Sequence, residues 1–227
     1  MLEIIYEDNH LIAVNKHAGD IVQGDKTGDV PLSESIKTWL SEKYGKTGNV
    51  FCGVIHRIDR PVSGVVIFAK TSKALARMNK MVQDRELHKT YWAIVKNTPP
   101  ASKGKLVHYL CRVESKNKCM ISNTEKKGYV RAELNYAHIA SSDTYHLLEI
   151  ELITGRHHQI RAQLSAMGCP IKGDLKYGFP RSNPDASISL HARSVHFVHP
   201  VSQQTVHIEA APPDDKLWKW FLAKINS

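Results

Sequence analysis

The stretch GVVIFAKTSKALARMNKMVQDRELHKTYWAIVK, Gly64 to Lys96, sets the plan of the chain. It opens on an apolar run, Gly64 to Ala69, which suits a buried strand and is far too short to cross a bilayer. Ser72 stands where a helix would be capped, with Leu75, Met78 and Val82 spaced to face inward. From His88 to Lys96 the period changes to two: Tyr91, Ala93 and Val95 point one way, Thr90, Trp92 and Ile94 the other. Strand, helix and strand are therefore expected in succession.

Upstream, residues 2–15 alternate around the polar turn Glu7-Asp8-Asn9-His10 and predict a hairpin. Ala18 to Val30 is rich in Gly and Asp and reads as a loop. Pro31 opens a helix with Leu32, Ile36, Trp39 and Leu40 on one face, and Gly45 and Gly48 end it. Residues 52–63 read as a polar, Gly-interrupted turn before the buried strand. Downstream, two Lys-rich loops are expected at 97–105 and 115–127, with strands near 130–139 and 145–153. His157 to Met167 predicts a helix burying Ile160, Leu164 and Met167, stopped by Gly168 and Pro170. Strands near 189–198 and 204–210 precede a helix over 214–225, with Leu217, Trp218, Phe221, Leu222 and Ile225 repeating along it. This order argues for an α+β fold, a mixed and mostly antiparallel β-sheet core with flanking helices, in a single domain over 1–227.

The chain has 227 residues, 42% hydrophobic and 23% charged, which is an ordinary globular balance. Lys and Arg total 31 against 22 acids, a formal charge of +9, which suits a polyanionic partner and also a merely basic protein. The amino terminus carries acids where a signal peptide would carry bases, so a cytoplasmic protein with no membrane association is expected. Cys52, Cys111, Cys119 and Cys169 form no C-x-x-C pair, and reduced structural thiols are expected. No Gly-rich phosphate loop, dinucleotide fingerprint or G-x-S-x-G elbow is present.

Two polar clusters could carry chemistry. In His56-Arg57-Ile58-Asp59-Arg60, arginines flank Asp59 on both sides and favour its ionised form, which suits a nucleophile or base. An Asp in a tight turn, neutralised locally, gives the same pattern and is the commoner outcome. In Thr154-Gly155-Arg156-His157-His158-Gln159-Ile160-Arg161, Gly155 allows a sharp turn, and helical spacing would put His157 and Arg161 on one face. Arg161, beside the buried-face Ile160, calls for an anionic partner unless it is solvated. Adjacent histidines on a helix diverge by about 100° and chelate poorly, so no metal is expected. His191, His196, His199 and His207 read as structural or surface groups.

Together the clusters resemble the RluA branch of pseudouridine synthases. HRIDRPVSGVVIFAK is similar to that family's H-R-L-D-R-x-T-S-G-x-x-x-x-A-K, and KTYWAIV (Lys89 to Val95) to its K-x-Y-x-A-x-V strand. LITGRHHQIRAQLSAMGCPIKGDLKYG (Leu152 to Gly178) resembles L-x-T-G-R-x-H-Q-I-R-x-H-L with P-I-x-G-D-x-x-Y-G, and LHARSVHFVHP (Leu190 to Pro200) the closing L-H-A-x-x-L-x-F-x-H-P. Four motifs in the family's order cover nearly the whole chain. Ile58, Val62 and Gln163 depart from the usual Leu, Thr and His.

The resemblance implies an RNA pseudouridine synthase that isomerises specific uridines in ribosomal or transfer RNA without cofactor or metal. It gives Asp59 the catalytic role, pairs Arg161 with it, and stacks Tyr91 on the uracil. Ile160 would form part of the pocket wall. His56, Arg57 and Arg60 would contact substrate, Arg57 filling the space left by a flipped base and Arg60 holding a phosphate. Lys103, Lys105, Lys116, Lys118, Lys126 and Lys127 are candidates for extending the RNA track. A monomer without an S4-type module, acting on a stem-loop, is expected. The rivals are a noncatalytic RNA-binding or ribosome-assembly protein of the same fold, and a metal-dependent hydrolase using the histidine pairs.

Overall fold

The computed structural model describes residues 2–24 and 28–226. In chain order the elements are β1 (Ile4–Glu7), β2 (Leu11–Lys16), α1 (Leu32–Tyr44), β3 (Gly53–Val54), β4 (Ser63–Ala69), α2 (Ser72–Gln83) and β5 (His88–Val95). They continue with β6 (Lys103–Val113), β7 (Lys118–Ser122), β8 (Val130–Ser141), β9 (His146–Leu152), α3 (Gln159–Ala166), β10 (Leu190–Val198), β11 (Thr205–Glu209) and α4 (Lys216–Ile225). The α+β class holds. The chain divides into two compact units, Met1–His88 with Ala192–Pro212, and Lys89–His191 with Pro213–Ser227.

In the first unit the expected hairpin forms because the Asp8 carboxylate accepts from the backbone N–H groups of His10 and Leu11, both at 2.7 Å. β2 runs antiparallel to β4 (Leu11 opposite Ala69), and β10 to β11 (Ser194 opposite Glu209). Gly64 is where β4 and β10 close up: its φ is +115°, and a Cβ there would sit 2.3 Å from Ala192 O. The sheet is buried on both faces. Leu11, Ala13, Val65 and Ile67 meet Ala74, Met78 and Met81 of α2, while Ile12, Val14, Val66 and Phe68 meet Leu32, Ile36 and Leu40 of α1.

Several boundaries differ from the sequence reading. Thr71, not Ser72, caps α2, its hydroxyl accepting from Ala74 N at 3.1 Å. Ala74 and Met81 join Met78 in the buried stripe, with Leu75 and Val82 partly buried at its margin. Pro31 sits at the N-cap of α1, and Gly45 ends that helix in the left-handed conformation at φ 59°. The short strand β3 was not expected. Ala18 to Val30 holds no helix or strand among its described residues, and its middle, 25–27, lies outside them.

In the second unit the strand order is β5-β9-β8-β6-β7, antiparallel throughout. Both expected Lys-rich loops hold strand instead: Lys103 and Lys105 belong to β6, and β7 lies inside 115–127. Lysines at alternate positions line the solvent side of a strand as readily as a loop, so composition misled here. α4, capped by Asp215, sets Trp218 and Phe221 against Trp92, Ile94 and Leu147. α3 rests Ala162 on the opposite face, against Leu110 and Ala132.

Candidate active site

In the first unit, the loop from Ile55 to Val62 carries Asp59, which is half-buried. Its backbone is held from three sides. Val62 N–H donates to Asp59 O at 3.0 Å, closing the turn, and Gly19 N–H donates to Arg60 O at 2.8 Å. Lys16, at the end of β2 and only 1% exposed, donates from Nζ to His17 O (2.8 Å), Arg60 O (3.0 Å) and Val62 O (2.8 Å). Burial pulls the Lys16 ammonium down to about 8, against the opposing influence of the Asp20 and Asp59 charges. The His56 Nε2 accepts from Ile67 N–H at 3.1 Å, so the neutral ring carries its proton on Nδ1. Arg57 is exposed, and Arg60 pairs with Asp29 at 2.7 Å on the surface.

In the second unit, Tyr91 is buried on β5 and Ile160 and Arg161 are buried on α3. The turn before α3 is locked by Gln159. Its Oε1 accepts from Thr154 Oγ1 (2.8 Å) and Arg156 N–H (3.0 Å), and its Nε2 donates to Glu133 O (2.9 Å). His158 takes φ 52°, a left-handed conformation that cannot continue a helix, so α3 starts at Gln159. The expectation that His157 and Arg161 share a helical face is thereby corrected. His157 lies in the turn instead, its ring stacked on His158 at 3.8 Å.

Arg161 forms a bidentate ion pair with Asp174, Nε to Oδ2 at 2.7 Å and one terminal nitrogen to Oδ1 at 2.9 Å. The Tyr177 ring lies 5.1 Å from the guanidinium carbon. Tyr177 Oη accepts from Cys119 N–H at 2.8 Å and donates to His158 Nδ1 at 3.0 Å. Burial, then the charges of Arg161, His157, Lys176 and Arg112, bring His158 down to about 2 and keep it neutral. Gln163, where relatives of the resembled family have His, is buried and donates to Leu106 O, Ala132 O and His108 Nδ1.

His56, Arg57, Asp59 and Arg60 thus share one loop of the first unit, and Tyr91, Ile160 and Arg161 belong to the second. Three residues of consequence had no assigned role: Asp174 and Tyr177, which lie inside the quoted P-I-x-G-D-x-x-Y-G segment, and Lys16. Nothing in the sequence marks Lys16 except its place at the end of an apolar strand. Among the described residues no three His, Cys, Asp or Glu side chains converge as a metal set.

Residues 10–166, which include Asp59, Tyr91 and Arg161, match the family model of RNA pseudouridylate synthase. The chain belongs to the RNA pseudouridylate synthase family. It is 34% identical to "tRNA pseudouridine synthase C" of Vibrio vulnificus over 237 aligned positions, covering 96% of this chain and 93% of that one. It is 32% identical to "Ribosomal large subunit pseudouridine synthase D" of Zymomonas mobilis, over 94% of this chain and 70% of the relative. The human protein "RNA Pseudouridylate Synthase Domain Containing 4" shares the fold, with a TM-score of 0.79, 21% identity, and coverage of 99% and 93%. This pseudouridylate synthase is therefore an isomerase acting on RNA. None of its described helices is long and apolar enough to cross a membrane.

Proposed function

We propose that this synthase converts uridine to pseudouridine in a stem-loop of ribosomal or transfer RNA, with Asp59 as its catalytic carboxylate. The observation carrying this is the family match over residues 10–166, taken with an Asp59 loop whose backbone is fixed just after the acid, at Arg60 and Val62. A carboxylate that must meet the sugar of a detached base gains from a loop with no freedom to drift.

The reaction breaks the bond from ribose C1′ to uracil N1 and forms one to C5; the C5 proton leaves and N1 takes up a proton, so the product is an isomer of the substrate. No electron carrier or energy donor is needed for that balance. Tyr91 stacks on the uracil, because an aromatic plane holds a rotating base without fixing one hydrogen-bond register. Ile160 belongs to the apolar wall. A guanidinium has five N–H donors, and Asp174 engages two on Arg161; to Arg161 we assign the positioning of the catalytic carboxylate.

Arg57 enters the stack left by the flipped nucleotide, and Arg60 exchanges its exposed Asp29 partner for a phosphate, since such a pair is worth under about 1 kcal/mol. His56, with Nε2 bound to the backbone, orients the loop beside the substrate. The working form is a cytoplasmic monomer. Release of tritium from RNA labelled at uridine C5 tests the activity, and pseudouridine mapping in ribosomal and transfer RNA with and without the gene identifies the target. No release from either RNA class would overturn the proposal.

A further inference from the structure

β5 carries a second group on the Tyr91 side of the sheet. Lys89 stands two residues before Tyr91, and the pairing of β5 with β9 is regular there, Lys89 opposite Leu152 and Tyr91 opposite Ile150. Side chains two apart on a regular strand leave the same face, about 6.6 Å from each other along the chain. The rows continue into β8, with Leu134 opposite Leu152 and Tyr136 opposite Ile150. The next strand adds Leu106 opposite Leu134 and Gly104 opposite Tyr136. On these rows Lys89 is the lone charge.

The acids of β9 leave by the other face, where they are engaged: Glu149 accepts from Trp92 Nε1 at 3.2 Å and Glu151 from Asn135 Nδ2 at 2.9 Å. Burial holds the Lys89 ammonium below the ordinary lysine range, and no acidic partner acts on it among the described residues. Its Nζ ends at the Thr154–Arg156 turn, 3.5 Å from where a Gly155 Cβ would lie, and among the described residues beyond the glycine's chain neighbours no other heavy atom comes within 4 Å of that position. A half-buried cation facing an apolar sheet with no acid beside it lacks the counter-charge such a group requires.

We infer that Lys89 receives a backbone phosphate of the RNA strand whose target uridine stacks on Tyr91. The inference rests on the proposed pseudouridylation at that face and adds a substrate contact to it. Gly155 leaves room for the phosphate beside the ammonium. The charge is satisfied only when RNA is bound, so Lys89 links docking of the strand to the placement of its base.

The test uses the full chain and a stem-loop RNA substrate, in which single linkages flanking the target uridine are made neutral methylphosphonates. Lys89→Met should bind the unmodified RNA about 10- to 100-fold more weakly, as expected for one charge-assisted phosphate contact. Its log Kd against log salt slope should fall by about 0.7 to 0.9. One neutral linkage should weaken wild type by the same factor and leave Lys89→Met unaffected, and Lys89→Arg should regain most of the loss.

Equal affinity of Lys89→Met and wild type, or losses that multiply at every linkage, would overturn the inference. Should Lys89→Met not fold, the linkage series on wild type and Lys89→Arg decides, and a flat series sinks the idea. A wild type that binds RNA through Lys89 yet releases no tritium would instead refute the catalytic reading alone.

Discussion

The buried pair of Arg161 and Asp174 offers the sharpest stability test. The two side chains are 6% and 1% exposed, and the guanidinium meets both carboxylate oxygens. Asp174→Asn keeps the shape and removes the charge, leaving a buried guanidinium with a diminished counter-charge and an amide N–H facing its donors. Breaking one side of a buried pair costs about 3–5 kcal/mol. For a chain of this length, each kcal/mol moves Tm by about 2–4 °C, so a fall of roughly 6–20 °C is expected. Urea unfolding should show a lower midpoint at unchanged slope. If the two units melt separately, only the transition of the second should move. In the double variant Asp174→Asn with Arg161→Met, the losses should fall short of the sum by at least about 1 kcal/mol, since neither charge is then stranded. A loss below about 1 kcal/mol for Asp174→Asn, or strict additivity, would refute the reasoning that each buried charge is stranded without the other.

Asp59→Asn should fold with wild-type Tm and bind RNA, yet form no pseudouridine; substantial tritium release from it would remove Asp59 from the chemistry. Lys16→Met withdraws three carbonyl contacts. Since Gly19 N–H still serves Arg60 O, the expected cost is about 1–3 kcal/mol, with kcat falling more than affinity as the Asp59 loop loosens. Burial opposes ionisation of Glu7, but hydrogen bonds from Lys43, Lys70 and Tyr44 outweigh it and bring the carboxyl down to about 2. Its unfolded value is higher, so its contribution is whole above about pH 4.5 and is lost as pH falls toward 2. Discounted for the partly exposed Lys43, that contribution is about 2 kcal/mol. Glu7→Gln should flatten acid unfolding over this window, measured by circular dichroism.

Strand and helix order was legible because period and punctuation carry it: the Asp8 turn, the alternation from His88, and Gly168 after α3 each left a local signature. Boundaries that depend on a single dihedral were not. His158 enters the left-handed region, and no rule of composition marks a histidine for that, so α3 begins two residues later than its apolar spacing suggests. Lys103 and Lys105 read as loop because lysine is depleted in strands in general, whereas Lys105 sits on β6 with its ammonium 2.8 Å from Glu133. That partner lies far along the chain, and local pattern cannot see it. The site was legible to the extent that motif spacing carried it. Asp59 alone reads more readily as a turn residue, and the other segments in order are what favour the catalytic reading.

What the motifs do not convey is how the acid's loop is held. The pinning groups come from outside it: Gly19 from the loop after β2, and Lys16 from the end of that strand. Lys16 is the largest fully buried polar side chain in its unit, and burying an ammonium is costly unless its hydrogen bonds are met. Three carbonyl oxygens meet them. Two belong to residues just after Asp59, so the lysine cannot keep its own environment without fixing theirs. Because the first unit's sheet is buried on both faces, β2 itself has little freedom, and rigidity passes from the strand through one ammonium to the acid's backbone. By that argument Lys16→Arg should fail where a surface exchange would succeed: a planar guanidinium cannot direct its donors at three carbonyls gathered around one point.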